Sequence, residues 1–301
     1  MPNLKDIKQR IGSVQNTKKI TKAMKMVAAA KVKKAENTVK AARPFSDELL
    51  HLFRKMLGTV NEISTNGLKV AKAIDDYPAL LTKREIKSEG LLVITSNKGL
   101  AGAYNANIIK TALRRIKENT EKGIHTIVYP VGQKAISGFR NKAGDFELKE
   151  GYVSVANDPT ATGANLIAED IAKDFVAGKI DKIDIITTHF NNMMSYNIVD
   201  WKILPVEVEK AENHELDPVM EFDPSAHRVL QQIVPMYITN SIYQALLEAN
   251  ASELASRMTA MSAASNNAEE MINTLTVDYN KARQAAITQE LVEIVSGASA
   301  I

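Results

Sequence analysis

The first place to look for chemistry is the loop Ser96-Asn97-Lys98-Gly99-Leu100-Ala101-Gly102-Ala103-Tyr104-Asn105. It follows the apolar run Leu91-Leu92-Val93-Ile94 and precedes a helical pattern, the position where an α/β fold offers backbone N–H groups to a phosphate. Its glycines are not spaced as G-x-G-x-x-G, and no Gly-Lys-Ser/Thr follows, so neither a dinucleotide fingerprint nor a Walker loop is present. The loop reads as a turn in which glycines let a strand pass into a helix. His51, His125, His189, His214 and His227 lack metal-ligand spacing, and no nucleophile elbow carries a Ser, His and Asp in order. The chain has no Cys, which excludes disulfides, thiolate metal sites and a cysteine nucleophile. No catalytic residue, metal or cofactor is expected.

Charge carries more information than its net value of +3 suggests. Residues 1–43 hold twelve Lys or Arg, among them Lys5, Lys8, Arg10, Lys18, Lys19, Lys22 and Lys25, against two acids, Asp6 and Glu36. Residues 224–301 hold four basic residues, Arg228, Arg257, Lys281 and Arg283, against seven acids. Three readings fit the basic run: a solvated helix face, a surface for an acidic protein, or a nucleic-acid stripe. Against nucleic acid stands the lack of any aromatic residue before Phe45 on which a base would stack. The start of the chain has no apolar signal region, and no window approaches eighteen uninterrupted apolar residues, so a membrane span is not expected.

The elements that position these residues differ along the chain. From Leu4 to about Leu57 apolar or small residues recur at Ile7, Ile11, Val14, Thr21, Ala28, Val32, Ala35, Val39 and Ala42, with Lys18 and Lys25 on the same stripe. Steps of 3 and 4 predict one long helix, which Pro44 should kink or divide near Arg43. A second helix starts at Asp223-Pro224-Ser225. Its seam of Leu254, Met258, Met261, Ser265, Ala268, Ile272, Leu275, Tyr279, Ala282, Ala286 and Gln289 is that of a coiled coil, with Pro235 bending its first part. Neither helix buries its stripe alone, and each is the only partner of matching length for the other, so an antiparallel pair is expected.

Between them, Leu91–Ile94, Ile124–Tyr129 and Ile183–Thr188 read as strands, with helices at Ala106–Glu118 and Gly163–Ala177 and a last strand at Trp201–Pro205. Alternation of this kind predicts a largely parallel sheet. The fold class is α/β: a long antiparallel two-helix coiled coil plus a central Rossmann-like domain. Expected segments are 1–57, the N-terminal helix; 58–89, a connector; 90–205, the α/β domain; 206–222, a return linker; and 223–301, the C-terminal helix. Two other functions fit parts of this pattern, a nucleotide-binding oxidoreductase with helical extensions and a homodimeric coiled-coil adaptor.

Two long stretches go further. Ile7-Lys8-Gln9-Arg10-Ile11-Gly12-Ser13-Val14 continuing to Thr21-Lys22-Ala23-Met24-Lys25-Met26-Val27-Ala28, and Tyr279-Asn280-Lys281-Ala282-Arg283-Gln284-Ala285-Ala286-Ile287-Thr288-Gln289-Glu290-Leu291 followed by Glu293 to Ala298, resemble the gamma subunits of bacterial F-type ATP synthases. The Ser96–Gly102 loop and Phe222-Asp223-Pro224-Ser225 are similar to the family's as well, with Ala101 where many members have Cys and Ala226 where a second Pro is common. The resemblance implies a non-catalytic rotor shaft inside a hexamer of alpha and beta subunits, its foot on epsilon and the membrane c-ring, on the cytoplasmic side of the bacterial cell membrane. It further implies that Arg283 and Gln284 meet a beta-subunit loop, and that Arg257 with Met24 and Lys25 meets an acidic lever of beta. The tip Leu291, Val292, Ile294 and Val295 would sit in an apolar sleeve of the hexamer.

Overall fold

The structure, a computed structural model, describes residues 4–65, 80, 84–140, 142, 144, 146–205 and 226–298. Two long helices bracket a five-stranded sheet: α1 (Leu4–Thr65), β1 (Ser88–Ile94), α2 (Tyr104–Glu121), β2 (His125–Val131), α3 (Gln133–Arg140), β3 (Phe146–Leu148), α4 (Ala161–Val176), β4 (Lys182–Asn192), β5 (Ser195–Leu204) and α5 (Ala226–Ala298). Contacts divide the chain into two compact units, Met1–Ala30 with Arg257–Ile301, and Lys31–Ser256. The long antiparallel pair and the central α/β domain expected from the sequence are both present.

In the larger unit the sheet order is β3-β2-β1-β4-β5, parallel except for the β4–β5 hairpin. Every residue of β1 after Ser88 is buried, as a strand covered on both faces requires. One face carries Leu91, Val93, Val128 and Ile186 against Ile108, Ala112 and Ile116 of α2 and Phe139 of α3. The other carries Leu92, Ile94, Tyr129 and Ile185 against Ile167, Ile171 and Phe175 of α4 and Ile238, Ile242 and Leu246 of α5. A third cluster joins Val32 and Val39 of α1 to Leu247, Ala251 and Ala255 of α5 and Phe190 of β4. Its α1 members are seven residues apart, two turns of one stripe.

The strands fall where β-branched runs predict them. Missing from that reading are α3 and β3, each under nine residues, too short for a period to emerge, and the full reach of β5, whose alternation starts at Ser195. Pro44 does not divide α1, and α5 runs through Pro235. Both prolines are solvent-exposed. The start at Asp223-Pro224-Ser225 lies outside the described residues.

In the smaller unit the helix pair follows the expected seam with two corrections. Ile7, Thr21, Ala28, Met261 and Ala268 are buried, and Ile11, Val14, Lys18, Met258, Ser265, Ile272, Leu275, Tyr279, Ala282 and Ala286 are half-buried. Lys25 is exposed, because the seven residues from Thr21 to Ala28 divide as readily through Met24, which is half-buried, and an ammonium favours the wet side. Gln289 is exposed as well. The pair Lys18–Glu269 at 3.1 Å marks the register. Counting fourteen residues back from Lys18 to Leu4, and fourteen on from Glu269, leads to Arg283, so Gln289 lies past the described start of α1.

The larger unit is pinned at one carboxylate. Glu248 of α5, with 1% of its side chain exposed, accepts from Arg43 Nε at 2.8 Å, from Arg43 Nη2 at 3.0 Å, from the Phe190 N–H at 2.7 Å and from Gln244 Nε2 at 3.0 Å. Arg43 also donates to the Phe190 carbonyl at 2.7 Å. One residue thereby ties α1, β4 and α5 together, and the hydrogen bond to Glu248 holds the Arg43 guanidinium charged more firmly than usual. As numbers rise from Arg43 to Ser46 on α1 they fall from Glu248 to Asn240 on α5, the antiparallel sense. Removing the carboxylate takes the acceptor from four N–H groups of three residues. Glu248→Ala should cost about 3 kcal/mol in urea denaturation, whereas Lys18→Ala, at a surface pair, should cost less than about 1 kcal/mol; equal losses would remove the distinction.

Candidate functional site

The loop Ser96–Asn105 serves the fold. Leu100 and Gly102 take positive φ angles of 66° and 55° to turn the chain, and Asn105 Oδ1 accepts from the Ser96 N–H at 3.0 Å. The buried Ala101 carbonyl accepts from Ser256 Oγ at 2.7 Å, and Tyr104, wholly buried, donates its hydroxyl to the Ala249 carbonyl at 3.0 Å. The segment that would face a phosphate is therefore spent on turning the strand and docking it to α5. Burial raises the Tyr104 phenol above its ordinary range, which keeps it a neutral donor there.

The residues singled out for partner contacts lie in the smaller unit and form two groups. Met24 and Lys25 are neighbours on α1, the first half-buried against the seam and the second exposed; Arg257 on α5 is half-buried. The register places Met24 opposite about residue 263, some six residues or roughly 9 Å from Arg257 along the axis. Arg283 and Gln284 are both exposed, beside half-buried Ala282 and Ala286. They are 26 residues beyond Arg257, roughly 39 Å along the helix, so the structure does not gather all five into one patch.

After Ala286 every described side chain of α5 is exposed. Leu291, Val292, Ile294 and Val295 expose 57%, 58%, 67% and 66% of their surface, and at 3.6 residues per turn they share one broad face of the helix. Hydrophobic side chains so placed mark a surface that is covered in an assembly. Sequence reading missed a further row: Ile20, Met26 and Val27 on α1 and Val277 and Ile287 on α5 are exposed too. Ile20 and Val27 repeat at seven residues, two positions beyond Lys18 and Lys25, a signal legible once the seam was drawn. The seam itself is made largely of small residues and is shallow, so much of the apolar content of these helices faces outward. Arg283 offers a two-pronged donor and Gln284 both a donor and an acceptor, suited to recognising a carboxylate and a backbone group.

A profile of the ATP synthase family matches residues 3–301. The ATP synthase gamma chain of Picosynechococcus sp. is 42% identical over 327 aligned positions, covering all of both chains, and that of Trichormus variabilis is 40% identical over 330, again covering both. Among solved structures, a chain of the Tetrahymena thermophila mitochondrial ATP synthase central stalk and c-ring is 28% identical with a TM-score of 0.58, covering 82% of this chain and 99% of that one. A chain of the Euglena gracilis mitochondrial ATP synthase has a TM-score of 0.63 at 17% identity, over 99% of this chain and 94% of that one, a likeness of fold. A helix pair with a small-residue seam, joined to an α/β domain, is thus the architecture of an ATP synthase central-stalk subunit. The chain belongs to the ATP synthase gamma-chain family, and its role is that of the rotor shaft, a non-catalytic subunit. Among the described residues no helix is long and apolar enough to cross a membrane.

The exposed end of α5 makes a prediction about the chain in isolation. It should self-associate, and replacing Leu291, Val292, Ile294 and Val295 together with Ser should make it monodisperse in light scattering without lowering its melting temperature, since none of the four is buried. Unchanged aggregation, or lost thermal stability, would contradict this.

Proposed function

We propose that the chain transmits torque between an ion-driven c-ring and the catalytic beta subunits through the two groups of residues on its helix pair. In this reading segments 1–57 and 223–301 are the shaft, 90–205 is the body beside it, and 58–89 and 206–222 connect them. The foot binds epsilon and the c-ring, the shaft stands in a hexamer of alpha and beta subunits, and the protein is held by its partners at the cytoplasmic side of the membrane. The observation that carries the reading is the stretch from Arg283 to Val295, in which the Arg283 guanidinium and the Gln284 amide are followed by exposed Ile287, Leu291, Val292, Ile294 and Val295. Such a run fits a surrounding sleeve with one polar contact at its rim.

A rotor contact must form and break on each turn, so each must be modest, about 1–3 kcal/mol, as for a hydrogen bond to a charged group. The basic face of α1 suits an acidic lever on beta in the same way, giving attraction and orientation more than tight binding. Met24 and Lys25 contribute there with Arg257, and the exposed Ile20, Met26 and Val27 extend that surface.

Arg283→Ala with Gln284→Ala should leave the shaft folded, because both side chains are exposed and Ala is the best helix former. The double variant is expected to assemble with alpha and beta yet lose most ATP hydrolysis and synthesis in reconstituted vesicles, while Lys281→Ala loses little. Wild-type rates in the double variant, or failure through lost assembly alone, would show that these residues do not carry torque. Met24→Lys adds a charge to the lever contact and should lower ATP-driven ion pumping per ATP hydrolysed; an unchanged ratio would move the lever contact elsewhere.

A further inference from the structure

Along α5 from Thr239 to Ser256, polar contacts arrive from several neighbouring elements. Glu248 accepts from Arg43 of α1 and from the Phe190 N–H of β4. Asn240 Nδ2 donates to Ser46 Oγ of α1 at 2.9 Å. Thr239 Oγ1 donates to Asn165 Oδ1 of α4 at 3.2 Å, and Asn250 Nδ2 donates to the Asn157 carbonyl, in the segment before α4, at 3.4 Å. Ser256 Oγ donates to the Ala101 carbonyl, in the loop before α2, at 2.7 Å. Two hydroxyls of the sheet domain also reach the helix backbone. Thr187 of β4 donates to the Ala245 carbonyl at 3.3 Å, and Tyr104 donates to the Ala249 carbonyl at 3.0 Å.

A helix advances about 100° per residue, so position in the sequence gives direction around the axis. With Glu248 at zero, Ser256 points at about 80°, Thr239 and Asn250 at about 180° and 200°, and Asn240 at about 280°. The helix is thus held on four sides. Apolar burial keeps α5 on the sheet but is not directional, so by itself it opposes a small turn about the axis less than it opposes separation. Hydrogen bonds do depend on direction. For a polar atom roughly 5 Å from the axis, a turn of about 10° is a displacement of roughly 0.9 Å, which takes a bond of ordinary length out of range. A helix bonded on one side escapes this by rolling on its neighbour, whereas bonds on opposite sides cannot all survive any one roll.

We propose that the stretch from Thr239 to Ser256 is the rotational key of the shaft, the place where α5 is locked to the sheet domain against twist, with Glu248 as its principal positioning residue. The inference rests on the rotor role and deepens it. A shaft under torque passes load between its long helix and the domain fixed to it, and a joint that slips loses the angle being transmitted. Glu248 carries the largest share because its bonds to Arg43 are charged and its carboxylate is buried, where water does not compete. The bonds of Thr239 and Asn250 on the opposite side are exposed and weaker, and serve to prevent rolling.

The test follows the angle of the sheet domain in a surface-immobilised complex of this chain with alpha and beta subunits. A bead is attached through Lys117→Cys at an exposed position of α2, and the chain has no cysteine of its own to compete. With ATP withdrawn, the variance of the bead's angle reports the twist between hexamer and sheet domain, a path that includes the key. Glu248→Gln keeps the size of the side chain and removes its charge. Because charged hydrogen bonds are about twice as strong as neutral ones, the variance is expected to rise roughly 1.5-fold, with ATP hydrolysis in the absence of load unchanged. Ile242→Val, which trims a fully buried apolar contact of the same helix, should lower the melting temperature and leave the variance as it was. Should Glu248→Gln not fold, Asn240→Ala with Ser256→Ala removes two other sides and should widen the variance in the same way. A variance unmoved in the key variants, or widened as much by Ile242→Val, would overturn the key and leave the rotor role standing. A wild-type bead that ATP does not turn would overturn both.

Discussion

A helix of 73 residues carries an apolar stripe that its own sequence neighbours cannot reach, so it stays in water until another helix lies along it. In this chain α1 fills that role, and each unit uses the contact differently. In the larger unit the stripe is deeply buried, because β4 closes the third side around Val32, Val39, Leu247 and Ala251. In the smaller unit two helices alone provide the cover, and most seam residues stop at half burial. Where three elements meet, the chain spends a buried carboxylate, Glu248, on holding them; where only two meet, it has an exposed ion pair, Lys18–Glu269. Fixed geometry belongs to the first place and a surface free to meet partners to the second.

The sheet domain shows a comparable division. Its two faces are covered by different helices, α2 and α3 on one and α4 with α5 on the other. The α5 face is largely apolar, with Thr187 of β4 donating to the Ala245 carbonyl of α5. On the α2 face the apolar layer ends in charge at Glu89, Lys182 and Asp184, where the geometry is set by hydrogen bonds. The loop that precedes α2 is pinned to α5 through Ala101 and Tyr104, so both ends of α2 are fixed by polar contacts.

Much of this is written in the sequence, and the parts that are not have physical causes. The long seams are visible because small and apolar residues recur over many turns, and the strands of the sheet because β-branched residues cluster. Lys25 was misplaced since steps of 3 and 4 between Thr21 and Ala28 occur in either order, and only the partner helix decides which. The Arg43–Glu248 contact joins positions 205 residues apart, and nothing local to either residue signals the other. The same holds for Glu89, which looks like an ordinary strand-end acid until Arg115 of α2 and Lys182 of β4 reach it from 26 and 93 residues away. Of the residues proposed for partner contact, the types were readable and, for Arg283 and Gln284, the exposure, whereas the roughly 39 Å between Arg257 and Arg283 follows from the helix being continuous.

The register between the long helices has a mechanical consequence. Leu4 stands opposite Arg283, so among the described residues the last four turns or so of α5 run on without a companion. Two braided helices resist twisting by straining the side chains wedged between them, whereas a lone helix resists only through its own hydrogen bonds and yields more readily. Arg283 and Gln284 therefore sit at the last station where α5 is still stiffened. Beyond them the described helix has only its own hydrogen bonds with which to resist twisting.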